Sequence, residues 1–167
     1  MAYALFRRVG EKRNILYASL MRLSLQTDFA LRTLMFLAAK DGHHSIAAIS
    51  SSYGISKNHL MKVAQRLVGE GFVKSVLGRG GGLMLARPAD EINVGSVVRV
   101  MEDMGNFVEC FDAAKNQCAA TPVCGLRHAL AGSLEAFLAH LDGFTVAHLI
   151  GNADKFRAAL EEQPMHR

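Results

Sequence analysis

The residues best suited to chemistry are three cysteines, Cys110, Cys118 and Cys124, which lie together within residues 108–125. Thiolates are the soft ligands that iron-sulfur clusters and zinc prefer, and three of them in one turn-rich loop can converge on a single metal centre. The intervals of seven and five residues match no CxxC pair of a structural zinc site, which favours an iron-sulfur cluster over zinc. Buried or idle cysteines are the remaining alternative.

The cysteines also indicate the compartment. An odd number of clustered cysteines argues against a secreted disulfide framework and favours a reducing cytoplasm. The first twenty residues carry Arg7, Arg8, Lys12 and Arg13 but no continuous apolar segment like that of a secretory signal. No stretch approaches the roughly 18 apolar residues that a membrane span requires. We therefore expect a cytoplasmic protein with no membrane association.

Charge is unevenly distributed along the chain. Residues 43–87 contain six basic side chains against Glu70 alone, whereas residues 101–163 contain nine acidic side chains against four basic ones. The formal net charge of +4 conceals this division. A basic middle beside an acidic C-terminal part is typical of a module that faces a polyanion, next to a part that faces something else.

The elements that would position these groups begin with an amphipathic helix that starts at Thr27 and ends at Gly42, with apolar residues at helical spacing. Asp28 lies in its first turn, where a carboxylate interacts favourably with the helix dipole. Arg32 follows four residues later on the same face, so capping and ion pairing are the simplest roles for Asp28.

A helix-turn-helix signature follows. Residues 45–51 predict a short helix, Tyr53 and Gly54 a turn, and Ser56 the N-cap of a second helix. Lysine on that helix can pair with phosphate or a guanine edge, asparagine can read adenine, and methionine can touch a thymine methyl group. A solvated polar face is the alternative. The residues predicted on this face are Lys57, Asn58, His59, Met61 and Lys62.

Two short β-prone runs, residues 72–76 and 83–86, flank a basic glycine-rich tip and predict the wing of a winged helix. Arg79 at the tip could enter a minor groove, and the glycines would allow close backbone approach. The triple glycine lacks the GxxxxGK[ST] pattern, so we do not expect a nucleotide-binding loop.

The C-terminal part predicts partner contacts. Residues 94–104 favour another helix, and apolar residues recur at helical spacing from Leu126 to Leu141 in a helix about 24 Å long. This apolar stripe is longer than so small a domain can cover, so we expect a homodimer with two recognition helices placed for a palindromic site. A helix folded back on its own domain is the alternative. From Thr145 the tail offers a last weak helix.

Four stretches carry a family resemblance: MRLSLQTDFALRTLMFLA, YGISKNHLMKVAQRLVGEGFV, GRGGGLMLARPADEINVGSVVRVMED and the VECF that opens the cysteine loop. They resemble the Rrf-type winged-helix regulators of bacteria, and most of all the nitric-oxide-sensing repressors of that family. The resemblance covers residues 21 to about 149. Family members begin at the MRL found here at residues 21–23, so we interpret residues 1–20 as an extension from a start codon assigned too early. A basic, poorly ordered N-terminal arm is the alternative.

The resemblance implies that Cys110, Cys118 and Cys124 bind an iron-sulfur cluster, of the 4Fe-4S type in the nitric-oxide sensors, with 2Fe-2S as the other type. It also implies that Asp28, within MRLSLQTD, completes the cluster from the other subunit. A carboxylate is a harder and more labile ligand than a thiolate, and it would leave one iron more open to nitric oxide. The cluster-loaded form would repress, and the nitrosylated or apo form would release DNA.

Three departures from the family pattern matter. The seven-residue interval between the first two cysteines equals that of an iron-responsive relative. A cluster-assembly relative uses a His three residues after the last cysteine, where this chain has Arg127, so His128 is a reserve fourth ligand. Where relatives carry an Arg at the start of the wing, this chain has Leu77. We therefore assign insertion into the minor groove to Arg79 instead.

These observations predict a mainly α fold with a small β wing, a winged helix-turn-helix followed by a long C-terminal dimerisation helix. We expect an extension at 1–20, the DNA-binding domain at 21–104, a cluster loop at 105–124, the dimerisation helix at 125–150 and a tail at 151–167. The predicted function is a repressor of nitric oxide detoxification genes, and the alternative is an iron- or cluster-status-responsive regulator. No Ser-His-Asp set or paired carboxylates occur at informative spacing, so we expect no enzyme.

Overall fold

The computed structural model describes residues 23–162, and the sequence-based interpretation of residues 1–20 lies outside that range. The described part is mainly helical with one two-stranded antiparallel sheet, which confirms the predicted fold class. The helices are α1 (Leu25–Ala39), α2 (Ile46–Tyr53), α3 (Lys57–Gly69), α4 (Val94–Met101), α5 (Gly125–Asp142), α6 (Val146–Ile150) and α7 (Ala153–Glu161). The strands are β1 (Val73–Val76) and β2 (Gly82–Leu85).

Serine side chains cap the N-termini of the first three helices. The hydroxyl oxygens of Ser24, Ser45 and Ser56 accept hydrogen bonds from backbone N–H groups three residues later, at 3.2, 3.2 and 3.3 Å. Such N-caps satisfy donors that the helix itself leaves unpaired. The N-cap at Ser24 makes α1 begin at Leu25, two residues earlier than the apolar pattern from Thr27 predicted. Gly54 ends α2 in the left-handed region, with φ of 64°.

Helix α1 runs through the centre of the core. Its Leu34 and Phe36 are fully buried and pack with the inner faces of α2 and α3. The tail contains two short helices, α6 and α7, where the sequence predicted one, and Val146 and Leu160 from these helices join the same core. The last helix is also tied to the end of α1 by the Lys40–Glu161 ion pair, at 3.7 Å.

The wing is anchored to the loop between α1 and α2. Strands β1 and β2 pair with Val73 opposite Leu85, and His44 adds a bridge to Leu83 with hydrogen bonds of 2.9 and 2.8 Å. A Cβ on Gly82 would lie 2.4 Å from the backbone oxygen of His44, so this close approach requires glycine.

Helix α4 ends at Met101, not at Met104 as predicted, because Glu102 adopts an extended conformation and only a 3-10 turn follows (Met104–Asn106). Helix α5 has 18 residues, none of them buried, and ends at Asp142 before Gly143. Within residues 23–162, no helix combines the length and apolarity needed to cross a membrane.

Candidate metal centre and nucleic-acid interface

The three cysteines are free thiols in the segment that joins α4 to α5. Cys118 is exposed, and Cys110 and Cys124 are half-buried. Their donor chemistry fits an iron-sulfur cluster, since soft sulfur ligands occur together and none is consumed in a disulfide. In the part of the chain that the structure describes, however, no three His, Cys, Asp or Glu side chains are grouped to hold a metal ion. The thiols therefore share a segment without converging in the single subunit.

Side chains beside the cysteines tie the segment together. Glu109 accepts a hydrogen bond from the backbone N–H of Gln117 at 2.7 Å, which links the neighbours of Cys110 and Cys118. Arg127 Nε donates to the backbone oxygen of Cys110 at 3.2 Å, which links the first turn of α5 to the first cysteine. A guanidinium stays protonated and cannot bind iron, so Arg127 supports this segment as a donor only.

Hydrogen bonds also shape the turn after Cys118. Asn116 Oδ1 accepts from the backbone N–H of Cys118 at 3.1 Å, and the Thr121 hydroxyl donates to the backbone oxygen of Cys118 at 2.8 Å. Sequence reasoning missed these supporting side chains, although Asn and Thr between two cysteines are typical turn-forming residues.

Asp28, the predicted fourth ligand, lies in the first turn of α1. Its Oδ1 accepts a hydrogen bond from Arg32 Nε at 2.9 Å, with the two side chains 39% and 45% exposed. The predicted ion pair is thus present, and Asp28 is half-exposed, so a second chain could approach it. His128, the reserve ligand, is exposed on α5.

Tyr53 lies next to this ion pair at the end of α2, in an environment that no pattern in the sequence predicted. The Arg32 guanidinium carbon lies 5.9 Å from its ring centroid. Burial raises the pKa of Tyr53 to about 12; the Arg32 cation opposes that rise and the Asp28 carboxylate adds to it. The buried hydroxyl has no hydrogen-bond partner among the described residues.

Helix α3 presents the predicted DNA-reading face to solvent. Leu60, Val63 and Leu67 are buried on its inner side, with at most 2% exposure. The His59 ring stacks on Phe29 of α1, with ring centroids 6.0 Å apart. The five predicted contact residues are exposed: Lys57, Asn58, His59, Met61 and Lys62.

The wing tip carries Arg79 into solvent beside Leu77, which is 93% exposed. Gly78 and Gly80 have φ of 106° and 84°, conformations that other residues rarely adopt. The His43 Nε2 atom lies 2.9 Å from the backbone oxygen of Gly80 and supports the tip from the α1–α2 loop. Sequence reasoning missed this support, because the two residues are far apart in sequence.

Comparisons with known proteins agree with this architecture. Residues 23–152 match the Rrf2 family model, described as an iron-dependent transcriptional regulator. The HTH-type transcriptional regulator NsrR of Bacillus subtilis (strain 168) is 49% identical over 143 residues, which are 84% of this chain and 98% of that protein.

Solved structures show the same fold. The structure of CymR, the global cysteine regulator of B. subtilis, superposes with a TM-score of 0.61 at 25% identity, over 77% of this chain and 95% of that one. IscR of T. potens has a TM-score of 0.61 at 24% identity, over 88% of this chain and 94% of that one, and its likeness shows the fold alone.

Proposed function

Because the chain belongs to the Rrf2 family of iron-dependent transcriptional regulators, we propose that it is a cytoplasmic homodimeric repressor whose iron-sulfur cluster senses nitric oxide. Its family and its relatives named NsrR are transcriptional regulators, so the chain is a DNA-binding regulator and not an enzyme. The cluster, the dimer and the signal are our proposal beyond that statement.

One observation carries the proposal: the three free thiols occupy the segment between the DNA-binding domain and α5. A change in this segment would act on the elements at both of its ends, since α4 precedes it and α5 follows it. We assign the cluster to Cys110, Cys118 and Cys124, with Asp28 of the partner subunit as fourth ligand. When bound, the cluster would supply an iron site open to a small diatomic ligand, since a carboxylate is the most labile of these ligands. Its type would be 4Fe-4S, with 2Fe-2S as the second choice.

The dimer is supported by α5, whose apolar residues remain half-exposed in the single subunit. Leu126 is 66% exposed, and Leu130, Leu134 and Phe137 are only partly covered. A second copy packed along this stripe would remove the apolar area from water. In this proposal, Asp28 of one chain lies beside the thiols of the other, as the family resemblance implies. The two α3 helices would then read the halves of a palindromic operator.

On the DNA, Lys57 and Lys62 would neutralise phosphates, Asn58 would read an adenine edge, and Met61 would touch a thymine methyl group. His59 would hold the helix against Phe29 and face the groove. Arg79 would enter the neighbouring minor groove from the wing.

A second candidate function, sensing of iron or cluster supply, is favoured by the seven-residue interval between Cys110 and Cys118, which equals that of an iron-responsive relative. Protein loaded under anaerobic conditions separates the two signals. Its binding to an operator selected from a random duplex library is followed during titration with nitric oxide or with a mild iron chelator. Release at a few equivalents of nitric oxide, without release by the chelator, supports the nitric oxide sensor. Release by the chelator alone supports the iron sensor.

Zinc at the three cysteines, the alternative to iron, would make the chain a structural adaptor, and the same preparation tests this function. Brown protein that contains iron and sulfide excludes it, and colourless protein that contains zinc would replace the cluster proposal. Replacement of Asp28 by Ala then tests the fourth ligand, because the change would alter the spectrum of the loaded protein if Asp28 binds iron. An unchanged spectrum, combined with a change in the His128→Ala variant, would assign that position to His128.

A further inference from the structure

Helix α4 is tied by an arginine to the DNA-reading helix. Arg66 lies in the last turn of α3, and its Nη1 donates to the backbone oxygen of Met101 at 3.3 Å. Its Nη2 donates to the backbone oxygen of Val100. The last carbonyls of a helix lack partners within the helix, and a cationic donor there also interacts favourably with the helix dipole. Arg66 therefore caps α4 from a different element.

The same short helix is tied to α5 through its other side. Arg99 of α4 donates through Nη1 and Nη2 to the two carboxylate oxygens of Asp142, at 2.5 and 2.6 Å. Asn93, the N-cap of α4, donates to the backbone oxygen of Asp142 at 2.7 Å. A Cβ on Gly95 would lie 2.1 Å from Asp142 Oδ1, so a larger residue there would displace the Asp142 side chain from its present position.

Helix α4 has eight residues and is too short to be stable by helix propensity alone. Its buried Val97, Val98 and Met101 hold it against the core, and the polar contacts fix its two ends. The cysteine segment begins immediately after it. Glu102, the first residue of that segment, accepts a hydrogen bond from the backbone N–H of Ser24, the N-cap of α1, at 2.7 Å. A displacement of this segment that moves Glu102 would act on the adjacent carbonyls of Val100 and Met101, which Arg66 binds.

We propose that Arg66 is a positioning residue that couples the cysteine segment to the DNA-reading helix of the same subunit. Its planar fork holds two carbonyls at the end of α4, so the state of the segment sets the position of the last turn of α3. This inference rests on the proposed function, because it assumes that the loaded and apo forms differ in operator affinity. It assigns the coupling to an arginine outside both the metal ligands and the predicted DNA-reading face.

The test measures operator affinity of the full-length protein in loaded and apo forms, for wild type, Arg66→Ala and Arg66→Lys, at equal iron content. Allosteric coupling commonly changes affinity about 5–150-fold, and we expect that ratio for wild type. Arg66→Ala should lower the ratio at least fivefold. Arg66→Lys should also lower it, because an ammonium is a point donor that does not reproduce the planar fork. Arg157→Ala removes the same charge from α7, where Arg157 pairs with Asp154 of the same helix, and should leave the ratio unchanged.

The outcomes separate the inference from the proposed function. A wild-type ratio of one refutes the proposed function, and the coupling role falls with it. If the wild-type ratio is normal and Arg66→Ala leaves it intact, the inference is overturned. If both affinities also fall together, Arg66 is a phosphate contact. A wild-type ratio retained in Arg66→Lys also overturns it, since charge alone would then suffice.

Amide hydrogen exchange of the apo protein gives a readout that is independent of DNA. In Arg66→Ala, exchange should accelerate at the end of α4, where the Glu102 N–H donates to the Val98 oxygen at 2.9 Å. Unchanged exchange there would show that Arg66 does not hold this turn, and the inference would fail.

Discussion

Replacing Lys62 by Ala tests the assignment of α3 as the DNA-reading helix. Lys62 is exposed on the outer face of α3, so the change should leave folding within about 0.5 kcal/mol of wild type. Each phosphate contact contributes roughly 0.9 to the slope of log affinity against log salt concentration. A dimer carries two copies of Lys62, so Lys62→Ala should flatten the slope by about 1.8.

This slope difference predicts a measurable change in affinity. Between 50 and 200 mM salt, wild-type binding should weaken about tenfold more than Lys62→Ala binding does. Fluorescence anisotropy of a labelled operator across a salt series measures both quantities. Lys155→Ala on α7 is the matched control, since it removes the same charge from an exposed site on a different helix. An unaltered slope in Lys62→Ala, or an equal change in Lys155→Ala, would refute the placement of the recognition helix.

Three further predictions concern base reading, the core and the Arg99–Asp142 ion pair between α4 and α5. Asn58→Ala should relax base preference at one operator position by about 1–3 kcal/mol, measured by competition with single-base operator variants. The assignment is wrong if Asn58→Ala and wild type show the same base preference. Leu34→Ala in the fully buried centre of α1 should lower the free energy of unfolding by about 2–5 kcal/mol, and a urea midpoint unchanged from wild type would contradict the core described. The hydrogen bond from Arg99 holds the pKa of Asp142 below its ordinary value of 3.8. The contribution of the Asp142 carboxylate to stability is therefore complete above that value and lost as pH falls through the lower pKa of the folded protein. Asp142→Asn should remove this acid dependence from denaturant melts. The same dependence of stability on acid pH in Asp142→Asn and wild type would contradict this role of Asp142.

Local patterns predicted the DNA-binding half of the fold. The inner face of α3 follows from apolar residues three and four apart, and Ser56 caps the helix because its hydroxyl replaces a missing intrahelical acceptor. The wing follows from alternating residues around glycines whose positive φ values the tip requires. These features depend on residues close together in sequence, and such interactions can be inferred without the tertiary structure.

Contacts between distant residues could not be predicted in this way. Arg66 is 35 positions from Met101, and Arg99 is 43 from Asp142, so periodicity carries no sign of either link. The tail was underestimated because short helices with few apolar residues gain their stability from packing, as Val146 and Leu160 do against α1. The assignment of Asp28 to a cluster came from the family resemblance, since the residues themselves indicated only its pair with Arg32.

The central claim is that iron held by the three thiols controls operator affinity. The most direct measurement compares one anaerobic preparation of the full-length protein, assayed for iron and sulfide, before and after removal of its iron. We predict brown protein whose operator affinity falls at least fivefold on iron loss, within the range of typical allosteric coupling of about 5–150-fold. Operator affinity that is the same before and after removal of the iron would contradict the claim, and so would protein that contains no iron as prepared yet binds the operator tightly.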